Sequence, residues 1–168
     1  MVLGRKILDD DYTAEENVYI EKLFAFASIG LQNVIHYTSS VTDFKTRLYN
    51  HSFFLRRLRE EMHRVDRYHS SFALLTLDID HFKPLNDRYG HLAGDRALFQ
   101  LSRIIEDTVR EEDVVSRYGG EEFLILLTQC SKRSAYTAAE RIRSAIANTV
   151  IFYQHHEITI TVSIMTIR

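Results

Sequence analysis

Hydrophobic positions in this 168-residue chain recur with the spacing of helices in some stretches and form unbroken runs in others. Apolar residues from Ile20 to Val41 stand three or four positions apart, which predicts a long amphipathic helix. Thr13-Ala14-Glu15-Glu16 has the spacing of a capping box, so we expect this helix to begin near Ala14. Further helices are predicted over residues 53–68, from residue 82, and over residues 95–109 and 134–148.

The unbroken apolar runs predict strands that are covered on both faces. One run spans residues 72–79, and two others lie on either side of Gly119-Gly120, a pair that accepts the positive φ angles of a tight turn. We therefore expect a hairpin with a two-residue Gly-Gly turn, followed later by strands at residues 150–153 and 157–166. Helices that alternate with strands around one sheet indicate an α/β (α+β layered) fold.

Composition narrows the class of protein. Hydrophobic residues make up 45% of the chain, charged residues 26%, and the net charge is −2, so neither a nucleic-acid surface nor a polybasic membrane contact is expected. The single cysteine, Cys130, excludes an internal disulfide and fits a reducing, cytoplasmic setting. No apolar run approaches the roughly 20 residues of a membrane span, so no membrane contact is expected.

Acidic residues stand at the ends of two predicted strands. Asp78 and Asp80 close the run at residues 72–79, and Glu121 and Glu122 follow the glycine pair. A single acid here is explained as a cap for the next helix, but four converging carboxylates repel one another unless a cation compensates. Oxygen ligands without cysteine favour Mg²⁺ or Mn²⁺ over zinc.

Two motifs carry a family resemblance. Arg117-Tyr118-Gly119-Gly120-Glu121-Glu122-Phe123 resembles the signature of the GGDEF family, the diguanylate cyclases, in its Gly-Gly-Glu-Glu-Phe form. Residues 77–95 resemble the other long block of that family, in the same order and at the same spacing. The resemblance covers roughly residues 43–164. It implies a central mixed sheet of about five strands surrounded by helices, like a nucleotidyl cyclase or polymerase palm.

The resemblance also implies an activity: Mg²⁺-dependent condensation of two GTP molecules into cyclic di-GMP with release of two pyrophosphates, at a homodimer interface. It assigns Asp78, the backbone carbonyl of Ile79 and Glu121 as metal ligands. Glu121 or Glu122 is a candidate base or hydroxyl orienter, and the sequence does not choose between them.

For the nucleotide, the resemblance assigns guanine recognition to Asn86 and Asp95, whose amide and carboxylate match the donors and acceptor of the guanine edge. The alternatives are that Asn86 is a helix-end residue and Asp95 the N-cap of the following helix. Lys83 and the backbone around Phe82 are expected to face the phosphates, although Phe82 is also a candidate packing residue. Backbone at Gly119 and Gly120 is expected to approach the substrate closely.

Arg110-Glu111-Glu112-Asp113 resembles the inhibitory site at which cyclic di-GMP, the product, stops turnover in this family. Arg110 would stack on or bind guanine and phosphate, and Asp113 would hold a guanine edge. The alternative is an ordinary cation at a helix end. A second function stays open as well: a catalytically silent module that acts as a receptor for cyclic di-GMP or GTP.

The resemblance further suggests how the chain is divided. Residues 1–41 resemble the last strand and exit helix of a GAF sensor domain, with the helix either packed on its own domain or paired between chains as a signalling coiled coil. Residues 42–168 are the expected catalytic domain, joined by a motif in which Lys45 and Arg47 replace the usual Leu and Gly. Met165 stands where the family has a glycine before a helix with a phosphate-binding Lys and Arg, so we expect this domain to be C-terminally incomplete.

Overall fold

The computed structural model describes residues 13–167, and the chain divides into two compact units between Ser40 and Val41. Helix α1 (Ala14–Val41) begins at the predicted capping box. The Glu16 N–H donates to Thr13 Oγ1 at 3.2 Å, and the Thr13 N–H donates to Glu16 Oε2 at 2.8 Å. These reciprocal bonds satisfy two of the N–H groups that a helix start leaves without partners, which explains why the helix begins here.

Helix α1 exposes much of its apolar surface. Leu23, Phe26 and Leu31 are 53%, 80% and 63% exposed. By length and composition the segment Glu16–Thr38 is apolar enough to cross a membrane, and none of it is buried, a finding that the sequence analysis did not expect. An exposed apolar surface of this size usually marks an interaction site, and either a second copy of the helix or a lipid bilayer would bury it. Both the absence of membrane contact and the coiled-coil pairing therefore stay predictions.

In the second unit, helices and strands alternate as predicted. The helices of this unit are α2 (His51–Tyr68), α3 (Phe82–Tyr89), α4 (His91–Thr108) and α5 (Lys132–Ala147). The strands are β1 (Tyr49–Asn50), β2 (Ala73–Ile79), β3 (Val114–Gly119), β4 (Glu122–Leu127), β5 (Ile151–Tyr153), β6 (His156–Ile158) and β7 (Val162–Ile167).

Five of the strands form one sheet in the order β1-β3-β4-β2-β7. The β1–β3 pair is parallel and the other three pairs are antiparallel, so the predicted mixed five-stranded sheet with surrounding helices is confirmed. Strands β5 and β6 form a separate two-stranded hairpin. The prediction of one strand over residues 157–166 was wrong, because residues 159–161 separate β6 from β7 and the two strands belong to different sheets.

Different helices pack on the two faces of the sheet. Alternate residues of β2, such as Leu75 and Leu77, point into a large core built with α3, α4, α5 and the β5–β6 hairpin. The other face meets α2 in a small cluster of Phe54, Val114 and Leu126. That smaller cover ends before the acidic end of β2, where Asp78 is exposed.

Two of the helix boundaries matter for the site. Helix α4 begins at His91 rather than at Asp95, because Gly90, with φ of +86° and ψ of +159°, takes the capping position. Asp95 therefore lies inside the helix, and its interpretation as an N-cap is wrong. Asn86 lies within α3, four residues before Gly90, whose N–H donates to the Asn86 carbonyl at 2.8 Å.

Candidate active site

The β3–β4 hairpin differs from the predicted Gly-Gly turn by one residue. Arg117 pairs with Phe123 and Gly119 with Glu122, so Tyr118 is an extra residue that forms a β-bulge. Gly119 still belongs to β3, and the two turn residues are Gly120, with φ of +55°, and Glu121. The bulge moves the turn forward along the chain and places Glu121 in the turn itself.

Three carboxylates gather at this end of the sheet. Asp78 of β2 lies directly opposite Glu122 of β4, so their Cβ atoms are about 5 Å apart on the same face. The Ile79 N–H donates to the Glu121 carbonyl at 3.3 Å, which ties the turn to the end of β2. Asp78 and Glu122 are exposed and Glu121 is half-buried. Within residues 13–167, no ion pair or side-chain hydrogen bond engages these three carboxylates.

Asp80 has a different environment from Asp78, although the two are close in sequence. Its carboxylate accepts hydrogen bonds from Thr161 Oγ1 at 2.6 Å and from Ser163 Oγ at 2.7 Å. These bonds, with that from Thr161 the larger influence, lower the pKa of Asp80 below its ordinary value. Asp80 is therefore engaged in holding the end of β2 to β7, and three of the four acids named from the sequence are without a side-chain partner among residues 13–167.

The donor chemistry of this end fits a hard divalent cation. In the described part of the chain, no three His, Cys, Asp or Glu side chains lie close enough together to hold a metal ion by themselves. The predicted ligand set does not require three, because it combines Asp78 and Glu121 with the backbone carbonyl of Ile79, and Mg²⁺ commonly takes its remaining ligands from water and phosphate. Like-charged carboxylates without a cationic partner favour such an ion.

Asn86, one of the two residues predicted to read guanine, contacts Gly94, which directly precedes Asp95, the other. A Cβ atom added to Gly94 would stand 1.9 Å from Asn86 Oδ1, which shows that the Asn86 side chain rests on the Gly94 backbone beside Asp95. Asp95 Oδ1 accepts from Lys45 Nζ at 2.5 Å. Lys45 replaces the leucine of the family motif, and its contact with Asp95 is not predicted by the sequence.

Phe82 and Lys83 divide between the core and the surface. Phe82 is buried in the main core, and its Cζ lies 3.2 Å from where a Gly94 Cβ would stand, so its side chain packs under the Asn86–Gly94 contact. Lys83 is exposed in the first turn of α3. Phe82 is therefore a packing residue beneath this contact, and the exposed Lys83 ammonium stands near a helix start, where it can meet an anion.

An arginine that the sequence analysis did not assign connects the junction motif to the turn. Arg117 donates through Nη2 to the Gly120 carbonyl at 2.6 Å and through Nη1 to Asp43 Oδ1 at 3.2 Å. Asp43 Oδ1 also accepts from the Thr46 N–H at 2.9 Å and from Thr46 Oγ1 at 2.7 Å. Burial by itself raises the pKa of Asp43, but the bonds from Thr46 and the charge of Arg117 outweigh burial and hold that pKa below its ordinary value.

Arg110 and Asp113 precede β3, at the end of that strand opposite to Glu121 and Glu122. They line a cavity of about 310 Å³ together with Arg133 and Arg141. Asp113 uses its carboxylate within the fold, since it accepts from the Arg110 N–H and the Thr128 N–H, each at 3.1 Å. Burial raises the pKa of Asp113 above its ordinary value. The Arg110 side chain is exposed, with Nη1 3.9 Å from Glu112 Oε1, and Arg141 donates through Nη2 to the Thr108 carbonyl at 2.6 Å. Three arginines therefore line the cavity, a composition that favours an anionic ligand.

The mixed five-stranded sheet surrounded by helices defines the class of fold, and comparison with known proteins gives the family. The family model described as "Diguanylate cyclase, GGDEF domain" matches residues 40–166. The chain belongs to the GGDEF family of diguanylate cyclase domains.

Relatives and solved structures agree with that assignment. Diguanylate cyclase A of Treponema denticola is 34% identical over 98% of this chain, which spans 45% of that relative's length. Diguanylate cyclase SiaD of Pseudomonas aeruginosa, solved with its activator SiaC, has a TM-score of 0.75 at 34% identity, covering 90% of this chain and 60% of SiaD. The GGDEF domain of DgcB from Caulobacter crescentus, solved with c-di-GMP, has a TM-score of 0.72 at 28% identity, covering 76% and 74%.

Proposed function

We propose that this chain is the catalytic part of a diguanylate cyclase that condenses two GTP molecules into cyclic di-GMP. The observation that carries the proposal is the cross-strand pair Asp78–Glu122 beside Glu121, three carboxylates without a protein partner among the described residues. Family membership and relatives with that name support the reaction. The intact Gly-Gly-Glu-Glu-Phe turn favours an enzyme over a silent receptor.

In the proposed reaction the 3′-oxygen of one GTP forms a bond to the α-phosphorus of the other. The bond from that phosphorus to the β-phosphate oxygen breaks, pyrophosphate leaves, and the hydroxyl proton passes to Glu121 or Glu122. The same step in the opposite direction closes the ring. Because each protomer holds one GTP, turnover requires a homodimer, and catalysis is chiefly positioning of the two substrates.

Asp78, the Ile79 carbonyl and Glu121 would hold Mg²⁺ or Mn²⁺. When bound, such an ion neutralises charge on the phosphate oxygens and acidifies the attacking hydroxyl. Asn86 and Asp95 would bind the guanine edge, Lys83 would attract the phosphates, and Gly119 and Gly120 would let them approach the backbone. The contact of the Asn86 side chain with Gly94, the residue before Asp95, supports the guanine assignment.

Product inhibition is a further part of the proposal. The exposed Arg110 beside Arg133 and Arg141 would bind the phosphates and guanines of cyclic di-GMP. Asp113 would act partly by fixing the Arg110 backbone, because its carboxylate already accepts from that N–H. A GTP-consuming domain of this kind would work in the cytoplasm.

The test is incubation of the purified chain with GTP and Mg²⁺, with cyclic di-GMP measured by mass spectrometry. We expect Glu122→Ala and Asp78→Asn each to lower product formation at least about 100-fold, because each removes a charge that acts on the reacting groups. Glu140→Ala is the matched control, since it removes an exposed carboxylate on α5.

A wild-type rate that survives both substitutions would contradict the assignment of these carboxylates. A wild-type chain that binds GTP and cyclic di-GMP but forms no product would instead support the receptor function.

A further inference from the structure

Lys45 occupies one oxygen of the acid proposed to read guanine. Its Nζ lies 2.5 Å from Asp95 Oδ1, and the two side chains are 34% and 38% exposed. The residues are fifty positions apart, so the contact joins the junction after α1 to the first turns of α4. No other ion pair to Asp95 occurs within residues 13–167.

The backbone that carries Lys45 is held on both sides. Thr46 is fully buried, and its N–H and hydroxyl both donate to Asp43. The Thr46 carbonyl accepts from Ser102 Oγ of α4 at 3.0 Å, which fixes the junction against the same helix that carries Asp95. Release of Asp95 must therefore come from rotation of the flexible Lys45 side chain, because the chain segment itself is anchored.

We propose that Lys45 competes with the guanine base for Asp95 and so sets the affinity of this site for GTP. This inference rests on the proposed function, in which Asp95 accepts from the guanine N1–H and N2–H groups. Two neighbouring donors are met best by both oxygens of one carboxylate, and Lys45 holds Oδ1. The base gains full contact only when the ammonium leaves, and the population in which Asp95 is free limits the apparent affinity.

The size and sign of the effect follow from the exposure of the pair. An ion pair this exposed to water is weak, so removal of the competitor should improve the affinity by about two- to fivefold. The sign is diagnostic. Loss of a cation near a triphosphate would by general electrostatics weaken binding, whereas loss of a competitor strengthens it.

The experiment measures the dissociation constant of 3′-deoxy-GTP with Mg²⁺ by calorimetry, since this nucleotide lacks the attacking hydroxyl and cannot condense. We expect Lys45→Leu and Lys45→Met to bind it about two- to fivefold more tightly than the wild type, with a smaller difference at high salt. Lys132→Leu, which removes an exposed lysine at the start of α5, is the matched control and should bind as the wild type does.

Tripolyphosphate is the second probe, because it has no base. Lys45→Leu should not bind it more tightly than the wild type. In an Asp95→Asn background, Lys45→Leu should give no gain for 3′-deoxy-GTP, because the contested carboxylate is gone.

Unchanged or weaker nucleotide binding by Lys45→Leu, a gain that persists in Asp95→Asn, or an equal gain for tripolyphosphate would each overturn the proposal. The single variant Asp95→Asn distinguishes failure of the Lys45 competition from failure of the guanine assignment. If it weakens nucleotide binding while Lys45→Leu gives no gain, the competition is wrong and the guanine assignment stands. If it binds as the wild type does, both are wrong.

Discussion

The two faces of the five-stranded sheet differ in how completely they are covered, and that difference decides where the acids stand. On one face, Leu75, Leu77 and Ile79 of β2 are buried beneath helices α3, α4 and α5. On the other face, Leu74 is half-buried against α2. Asp78, four residues further along β2 on the same face, is exposed. The incomplete cover leaves the end of β2 open to a ligand.

The contrast shows how one strand serves both stability and chemistry. Side chains of a strand alternate between faces, so β2 places apolar residues in the core and an acid outside it without interrupting the hydrogen-bonded ladder. A charged residue at Leu77 would be buried without a partner, at a high cost, whereas Asp78 keeps its access to water.

Truncation of a leucine side chain to alanine should reduce stability much more on the fully buried face of the sheet than on the other face. Leu77→Ala should lower the free energy of unfolding by about 2–5 kcal/mol, because Leu77 is fully buried in the main core. Leu124→Ala, on the face that α2 covers only in part, should lower the free energy of unfolding by about 1–2 kcal/mol, because folding buries less of the Leu124 side chain than of Leu77. Urea unfolding followed by far-ultraviolet circular dichroism measures both, since the chain has no tryptophan. Equal losses would show that the two faces contribute alike.

Gly94→Ala should disturb the nucleotide site more than the fold. Its Cβ would stand 1.9 Å from Asn86 Oδ1 and 3.2 Å from Phe82 Cζ, so the Asn86 side chain must move away. We expect the KM for GTP to rise about tenfold, equal to about 1.4 kcal/mol, with a stability loss of about 1 kcal/mol.

Gly30→Ala in α1 is the control, since nothing lies within 4 Å of its added Cβ, and it should leave the KM unchanged. An unchanged KM for Gly94→Ala as well would mean that Asn86 does not contact the base.

Asp80 should give the smallest effect, visible only in acid. Hydrogen bonds from Thr161 and Ser163 lower its folded-state pKa, so its stabilising contribution is complete above the unfolded pKa of about 3.9 and is lost as the pH falls through the lower folded value. Because the group is largely exposed, the contribution should stay below about 1 kcal/mol.

Asp80→Asn should flatten this part of the stability curve in acid titration. The double variant Thr161→Val with Ser163→Ala should do the same while it keeps the acid. A slope that persists in both would assign it to another carboxylate, such as Asp43.

Much of the fold could be predicted from local pattern, and the misses have identifiable causes. The apolar run at residues 72–79 predicts β2 to within one residue, since continuous burial leaves a continuous signal. The turn was misplaced because a bulge at Tyr118 depends on pairing with β4, which no local pattern records. The start of α4 was misplaced because Gly90, rather than a side chain, caps it. The motifs predict the acids and Asn86 of the site. They do not predict the hydrogen-bond partners of Asp80 or the Lys45 partner of Asp95.

The family, the alternation of helices and strands, and the residues that carry the proposed chemistry can be read from the sequence, because periodicity and motif are properties of neighbours in the chain. Which of those residues are available for chemistry depends on how the chain packs. Asp80 meets hydroxyl groups 81 and 83 positions away, and Asp95 meets an ammonium fifty positions away. Contacts of that range exist only once the sheet and helices have packed, so the difference between an engaged acid and an available one is a property of the fold.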